Sequence, residues 1–99
     1  MAKIIQIASF ELNDESLMEE WKVMSTGISE AMKNLPGFIS RDSAVGEDGK
    51  IYCVLKWENK ESQEAARKMI ESPETKDKME AFAKIANMQT MASKFLEIL

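Results

Sequence analysis

The chain contains no histidine, and this absence excludes more chemistry than any other feature of its composition. Histidine is the most common general base near neutral pH and the most common metal ligand. Catalysis of the Ser-His-Asp or Cys-His type is therefore excluded. A zinc site would need ligands that the single cysteine, Cys53, cannot supply. We accordingly expect no metal site and no bound cofactor.

Glycine-rich loops, disulfides, long apolar runs and an excess of basic charge are also missing. The four glycines occur singly, so no loop is suited to cradle a nucleotide phosphate. One cysteine cannot form an internal disulfide, and no apolar run approaches the roughly 20 residues that span a bilayer. The chain has 13 Lys and Arg residues and 17 Asp and Glu residues, so its net charge is −4. We expect a soluble cytoplasmic protein that binds neither nucleic acid nor a membrane.

What is present is the composition of an ordinary globular protein. With 44% hydrophobic and 30% charged residues, the 99-residue chain is typical of one domain covering residues 1–99. β-prone runs predict strands at residues 4–10, 38–45, 51–58 and 88–99. Apolar spacings of three and four predict a long helix between a cap at Asn13 or Asp14 and Leu35, and two short helices between residues 59 and 87. The predicted order is β-α-β-β-α-α-β, an α+β ferredoxin-like fold with a four-stranded antiparallel sheet.

The expected sheet carries apolar residues on both faces, although its helices would cover only one. A second copy of the chain, related by a twofold axis, is the simplest cover for the other face. The sequence therefore predicts a homodimer.

Polar residues on the second strand are the first candidates for a functional site. Strict alternation places Phe38, Ser40 and Asp42 on one face and Arg41 on the other. Polar side chains inside an apolar strand need partners if they are buried, so these residues either line a wet cavity or lie on an exposed face. A second group of candidates consists of Met24, Met69, Met79 and Phe82. Their flexible thioethers and aromatic ring suit an adaptable pocket, and the alternative is that they simply fill the core.

Three segments of the chain resemble the antibiotic biosynthesis monooxygenase-like family of dimeric α+β barrels. They are Leu-Pro-Gly-Phe at residues 35–38, Lys-Trp-Glu-Asn-Lys-Glu-Ser at 56–62 and Ser-Pro-Glu at 72–74. The resemblance implies a dimer with a pocket between sheet and helices, in which small phenolic or quinol compounds react with oxygen without a metal or flavin.

A related branch of that family degrades haem with an asparagine on the first strand, a tryptophan on the second helix and a histidine on the third. This chain has no asparagine in residues 4–10, and Ala66 and Met79 stand near the other two positions. Haem degradation is therefore disfavoured.

The resemblance makes Trp57 a candidate pocket wall and gives the strand residues roles in catalysis. Without histidine, a substrate proton must pass to a carboxylate or to water, and Asp42 is the candidate base. Ser40 or Arg41 would then hold the developing anion, and Met24, Met69, Met79 and Phe82 would contact the substrate. The alternative is a barrel of the same fold that binds a small aromatic or apolar molecule, or serves in stress, without catalysis.

Overall fold

The structure, a computed structural model, describes residues 2–99. In chain order its elements are β1 (Ile4–Leu12), α1 (Met18–Met32), β2 (Phe38–Val45), β3 (Ile51–Trp57), α2 (Lys60–Ile70), α3 (Lys76–Ile85) and β4 (Ala86–Glu97), with 3₁₀ turns at Glu15–Leu17 and Pro73–Thr75. The strands form one antiparallel sheet in the order β2-β3-β1-β4. The predicted α+β ferredoxin-like fold is therefore confirmed. None of the helices within residues 2–99 is both long and apolar enough to cross a bilayer.

The two residues predicted to cap the first helix have different tasks. The Asp14 carboxylate accepts a hydrogen bond from the Ser16 N–H at 2.9 Å, which caps the 3₁₀ turn before α1 and lowers the pKa of Asp14. The Asn13 amide instead donates to the carbonyls of Ala83 and Lys84, at 3.0 and 2.9 Å. These carbonyls belong to the last turn of α3, where no helical donor remains for them. Asn13 therefore ties the end of β1 to the end of α3.

The core lies between the helices and one face of the sheet. All four alternate residues of β3 on this face are buried: Ile51, Cys53, Leu55 and Trp57. The Trp57 ring is 1% exposed and meets Phe38 edge-on at 5.5 Å between centroids, while its Nε1 donates to Gln6 Oε1 at 3.1 Å. A second cluster joins β1, α1 and α3 through edge contacts of Phe10, Trp21 and Phe82, with centroids 5.0 to 5.9 Å apart.

A bulge in β2 changes which of its residues face the helices. Phe38 lies opposite Trp57, whereas Ser40 lies opposite Lys56, so one extra residue is inserted between them. After the bulge, Arg41 and Ser43 pair with Leu55 and Cys53 on the helix-facing side. Ser40 and Asp42 face the other side. The prediction that Phe38 shares a face with Ser40 and Asp42 is therefore wrong, because strict alternation does not continue through a bulge.

The face of the sheet that points away from the helices carries an apolar strip across β3, β1 and β4. The register places Ile5 and Ile7 of β1 on this face, beside Val54 of β3 and Leu96 of β4. Leu96 is 42% exposed and the other three are half-buried. Lys56 and Lys94 flank the strip on the same face.

Gly37 is expected to be irreplaceable at the turn between α1 and β2. Its φ of +78° lies in the left-handed region, and a Cβ at this position would overlap the Ser62 side chain. We predict that Gly37→Ala lowers the free energy of unfolding by about 1 to 3 kcal/mol in urea titrations. Gly27→Ala is the control, since a Cβ within α1 meets nothing within 4 Å. It should raise the free energy of unfolding by about 0.5 to 1 kcal/mol. Equal effects of both variants would contradict the special role of Gly37 in the turn.

The β2–β3 turn predicts an unusual titration of Tyr52, the sole tyrosine of the chain. The Asp48 carboxylate accepts hydrogen bonds from the Lys50 N–H at 2.9 Å and the Tyr52 hydroxyl at 3.0 Å, which together lower the pKa of Asp48. The same hydrogen bond to Asp48 raises the pKa of Tyr52. Alkaline titration of tyrosinate absorbance should show a lower Tyr52 pKa in Asp48→Ala than in the wild type. Glu47→Ala, which removes the adjacent exposed carboxylate, should leave it unchanged.

Candidate functional site

A groove of about 390 Å³ runs between α1 and the edge strand β2, and it is open to solvent along one side. Its walls are residues of α1 between Met18 and Glu30, residues 41–45 of β2, and Ile51. The α1 residues that face the strand are spaced by three and four, so they occupy one side of the helix: Met18, Trp21, Ser25 and Ser29. The opposing β2 residues alternate: Arg41, Ser43 and Val45. The bulge in β2 is what brings these two rows together.

Arg41 occupies the polar end of the groove. Its Nη1 donates to Ser25 Oγ at 2.7 Å, to Ser29 Oγ at 2.8 Å and to the Ser25 carbonyl at 3.1 Å. Its Nη2 lies 3.6 Å from Cys53 Sγ, and its guanidinium carbon lies 5.9 Å from the centre of the Trp21 ring. The half-buried guanidinium is thus fixed from several sides, and it stacks on an aromatic face in the manner typical of arginine.

No carboxylate within residues 2–99 forms an ion pair with Arg41. The other charged residues of α1 at the groove are paired with residues of the same helix. Lys22 lies 3.2 Å from Glu19, and Glu30 lies 2.9 Å from Lys33. Arg41 is therefore a positive charge held by neutral oxygen atoms. In a chain with a net charge of −4, such a group is suited to meet an anion from outside.

The middle of the groove joins the site to the core. The Trp21 indole Nε1 donates to Ser43 Oγ at 3.1 Å, and Cys53 Sγ lies 3.8 Å from the same oxygen. Trp21 and Ile51 line the groove and are buried, so the floor of the groove consists of core residues. Cys53 fits the predicted role of a small buried hydrophobe, and its thiol lies beneath Arg41 and Ser43.

The predicted catalytic pair is not brought together by the structure. Trp57 faces the helices but lies deep in the core and does not line the groove. Asp42 borders the groove at β2, yet it pairs with Val54, so its exposed side chain belongs to the opposite face of the sheet. Ser40 lies on that face as well. Trp57 and Asp42 are predicted to share one pocket. They do not, because the bulge turns Asp42 to the other face of the sheet.

The predicted methionine and phenylalanine wall lies elsewhere in the molecule. None of these residues lines the groove: Met24, Met69, Met79 and Phe82. Met24 and Phe82 pack partly buried against the core, whereas Met69 is 56% exposed and Met79 is 36% exposed. Of the predicted binding residues, Arg41 alone has a specific set of contacts within the groove.

Three serines that the sequence does not predict complete the site: Ser25, Ser29 and Ser43. A signal was present, because Ser25 and Ser29 lie four and eight residues after Trp21 and so continue one side of α1. Hydroxyl residues on a helix face are common, however, and nothing local links them to Arg41.

A second depression, of about 510 Å³, adjoins the groove near Met18. It is lined by Glu11, Leu12, Glu15, Met18, Asp48 and Gly49. Its three carboxylates and lack of a basic group make it unsuited to an anionic substrate. Within residues 2–99, no group of three or more His, Cys, Asp or Glu side chains is arranged to hold a metal ion.

Comparison with protein-family models and with curated protein sequences gives no match. Solved structures, in contrast, match over nearly the whole chain. The monooxygenase ActVA-Orf6 of Streptomyces coelicolor, solved with the ligand nanaomycin D, is 16% identical with a TM-score of 0.77, and the match covers 99% of this chain and 88% of that one. SnoaB of Streptomyces nogalater, a cofactor-independent oxygenase, is 11% identical with a TM-score of 0.75, and the match covers 100% and 95%.

A protein of Nitrosomonas europaea, named provisionally as an antibiotic biosynthesis monooxygenase, has a TM-score of 0.78 at 12% identity. The match covers 99% of this chain and 91% of that one. At such low identity the likeness concerns the fold. The predicted resemblance is confirmed at that level: the chain has the fold of the antibiotic biosynthesis monooxygenase-like α+β barrels.

Proposed function

We propose that this protein is a monooxygenase that oxidises a small phenolic or quinol-type compound with O₂ in the α1–β2 groove, without a bound cofactor. The observation that carries the proposal is the Arg41 guanidinium, which is fixed by Ser25 and Ser29 and has no carboxylate partner within residues 2–99. The shared fold with a cofactor-independent oxygenase supports it.

The chemistry requires a substrate that becomes electron-rich when it loses a proton. Arg41 would stabilise the resulting phenolate or enolate, which lowers the cost of deprotonation. The anion then gives an electron to O₂, and a carbon–oxygen bond forms between the two radicals. The peroxide takes up a proton and loses water to leave a ketone or quinone. One oxygen atom therefore enters the product, and the substrate supplies the electrons that reduce the other oxygen atom to water. A water molecule in the groove would accept the first proton, and Asp42, which borders the groove, would be the alternative base only when its side chain turns in from the opposite face of the sheet.

A non-catalytic barrel that binds a small aromatic or apolar molecule is the second candidate, and the openness of the groove favours it. Anions that react with oxygen benefit from a cavity that excludes water. The α1–β2 groove lies at the edge of the sheet and is open along one side. Catalysis within this groove therefore requires a cover for that side, whereas binding alone does not.

The homodimer remains part of the proposal, and the outer face of the sheet supports it. Ile5, Ile7, Val54 and Leu96 form an apolar strip on the face that no helix covers. A second copy packing against this strip would remove the apolar area from water. Buried Cys53 is a free thiol, which accords with the proposed cytoplasmic location.

The proposed activity predicts oxygen consumption by the purified protein with hydroquinones, catechols and anthrone-like phenols. Uptake should exceed the autoxidation rate, and Arg41→Met should lower kcat/KM on the order of 100-fold, because it removes the donors that hold the anion. Arg67→Met is the control, since it removes the same charge from an exposed position on α2. Absence of uptake across the panel would leave the binding barrel as the function.

The roles of Asp42 and Trp57 are tested in the same assay. If Asp42 is the base, Asp42→Asn should lower turnover on the order of 100-fold or more and leave the fold intact. Trp57→Phe is preferable to Trp57→Ala, because emptying this core position would cost about 3 to 5 kcal/mol of stability. If Trp57 forms a wall of the pocket, Trp57→Phe should change KM. If Trp57 is purely a core residue, the variant should have a lower unfolding temperature and an unchanged KM.

A separate prediction concerns the dimer. Light scattering at micromolar concentration should give twice the chain mass of 11.2 kDa. Ile7→Asp should give the monomer mass, because a carboxylate would replace an apolar side chain within the proposed interface. Val23→Asp, at a 75% exposed position on α1, should remain dimeric. A monomeric wild-type protein would overturn the proposed interface.

A further inference from the structure

The side chains of Arg41, Ser25 and Ser29 offer unused hydrogen-bond donors to a ligand in the α1–β2 groove. Ser25 Oγ and Ser29 Oγ already accept from Arg41, and no hydrogen bond within residues 2–99 uses their hydroxyl protons. The Arg41 Nε–H and one N–H of its Nη2 also have no partner there. An arginine side chain has no acceptor. The ligand must therefore bring the acceptors, which is what a carboxylate or enolate does.

The groove also changes in polarity along its length. Arg41, Ser25 and Ser29 form one end, and Trp21 with Ser43 lies in the middle. At the other end α1 supplies Met18, and the β2–β3 pair supplies Val45 and Ile51. A ligand that fills the groove would have its polar group at one end and an apolar body at the other. The volume of about 390 Å³ falls within the range of small-molecule sites.

We infer that the groove binds a small aromatic monoanion, with its acidic oxygens on Arg41, Ser25 and Ser29 and its apolar body directed towards Met18 and Val45. This inference deepens the proposed function, since it concerns the same groove and names the charge of the substrate. It selects acids, and compounds that ionise on binding, over neutral aromatic molecules. The planar guanidinium favours planar oxyanions, because two oxygens of one group can meet its Nε–H and Nη2 N–H side by side.

The test uses naphthalene-2-carboxylate and its neutral isostere, naphthalene-2-carboxamide, followed by nuclear magnetic resonance. The chain has two tryptophans, whose indole N–H signals report on different places. Trp21 Nε1 donates to Ser43 in the groove, and Trp57 Nε1 donates to Gln6 in the core. The carboxylate should shift the Trp21 signal and leave the Trp57 signal in place. It should bind at least tenfold more tightly than the amide.

Two arginine variants separate a specific site from general charge attraction. Arg41→Met should weaken naphthalene-2-carboxylate binding at least tenfold, and Arg67→Met should leave it unchanged. Ser29→Ala retains the guanidinium and removes one donor on α1, so it should weaken binding about three- to tenfold. An unchanged Trp57 indole signal would show that each variant is folded, whereas the Trp21 signal is expected to move in Arg41→Met because the guanidinium lies over its ring. Equal affinity for acid and amide, or equal losses in both arginine variants, would overturn the inference.

The binding assay and the turnover assay can refute the anion site and the oxygenase activity separately. Carboxylate binding that depends on Arg41 without oxygen uptake would refute the oxygenase and retain the anion site. Oxygen uptake that survives in Arg41→Met would refute the anion site and retain the oxygenase.

Discussion

A single extra residue in β2 determines which side chains meet helix α1. Because the side chains of a strand alternate, the bulge between Phe38 and Ser40 reverses the facing of every later residue in the strand. Arg41 and Ser43 turn towards the helix, and Asp42 turns away. Without the bulge, a carboxylate would face Ser25 and Ser29, and the groove would repel an anion. The chemistry of the site therefore depends on a local feature of the backbone.

Trp21 connects the groove to the core of the protein. Its ring is 3% exposed and contacts Phe10 and Phe82 at its edges, while Arg41 lies over its face. The same indole donates to Ser43. The floor of the groove is thus as rigid as the core, because displacing Trp21 would disrupt packing among β1, α1 and α3. Arg41 is ordered before a ligand arrives, which lowers the entropic cost of binding.

Local sequence signals predicted the fold more completely than the site. Strands β2 and β3 lie within the predicted ranges 38–45 and 51–58, since β-prone runs are a local property of the sequence. The sequence names Arg41 as a candidate but predicts none of its contacts. They depend on the bulge, which has no clear sequence signal here, and on the packing of α1 against an edge strand. Strict alternation predicts Asp42 on the face of Phe38, whereas the bulge places it on the opposite face.

The serine residues around Arg41 distinguish a binding site from a structural ion pair. Two opposite charges about 4 Å apart attract by about 4 kcal/mol at the effective dielectric of a protein surface. An aspartate in place of Ser25 or Ser29 would gain that attraction and stabilise the folded chain. The hydroxyls instead position the guanidinium and leave its charge without an ionic partner within residues 2–99, so that the proposed anion would gain the attraction. Since the fold is shared with oxygenases at no more than 16% identity among those described above, this unmatched charge, and not the fold, carries the argument for function.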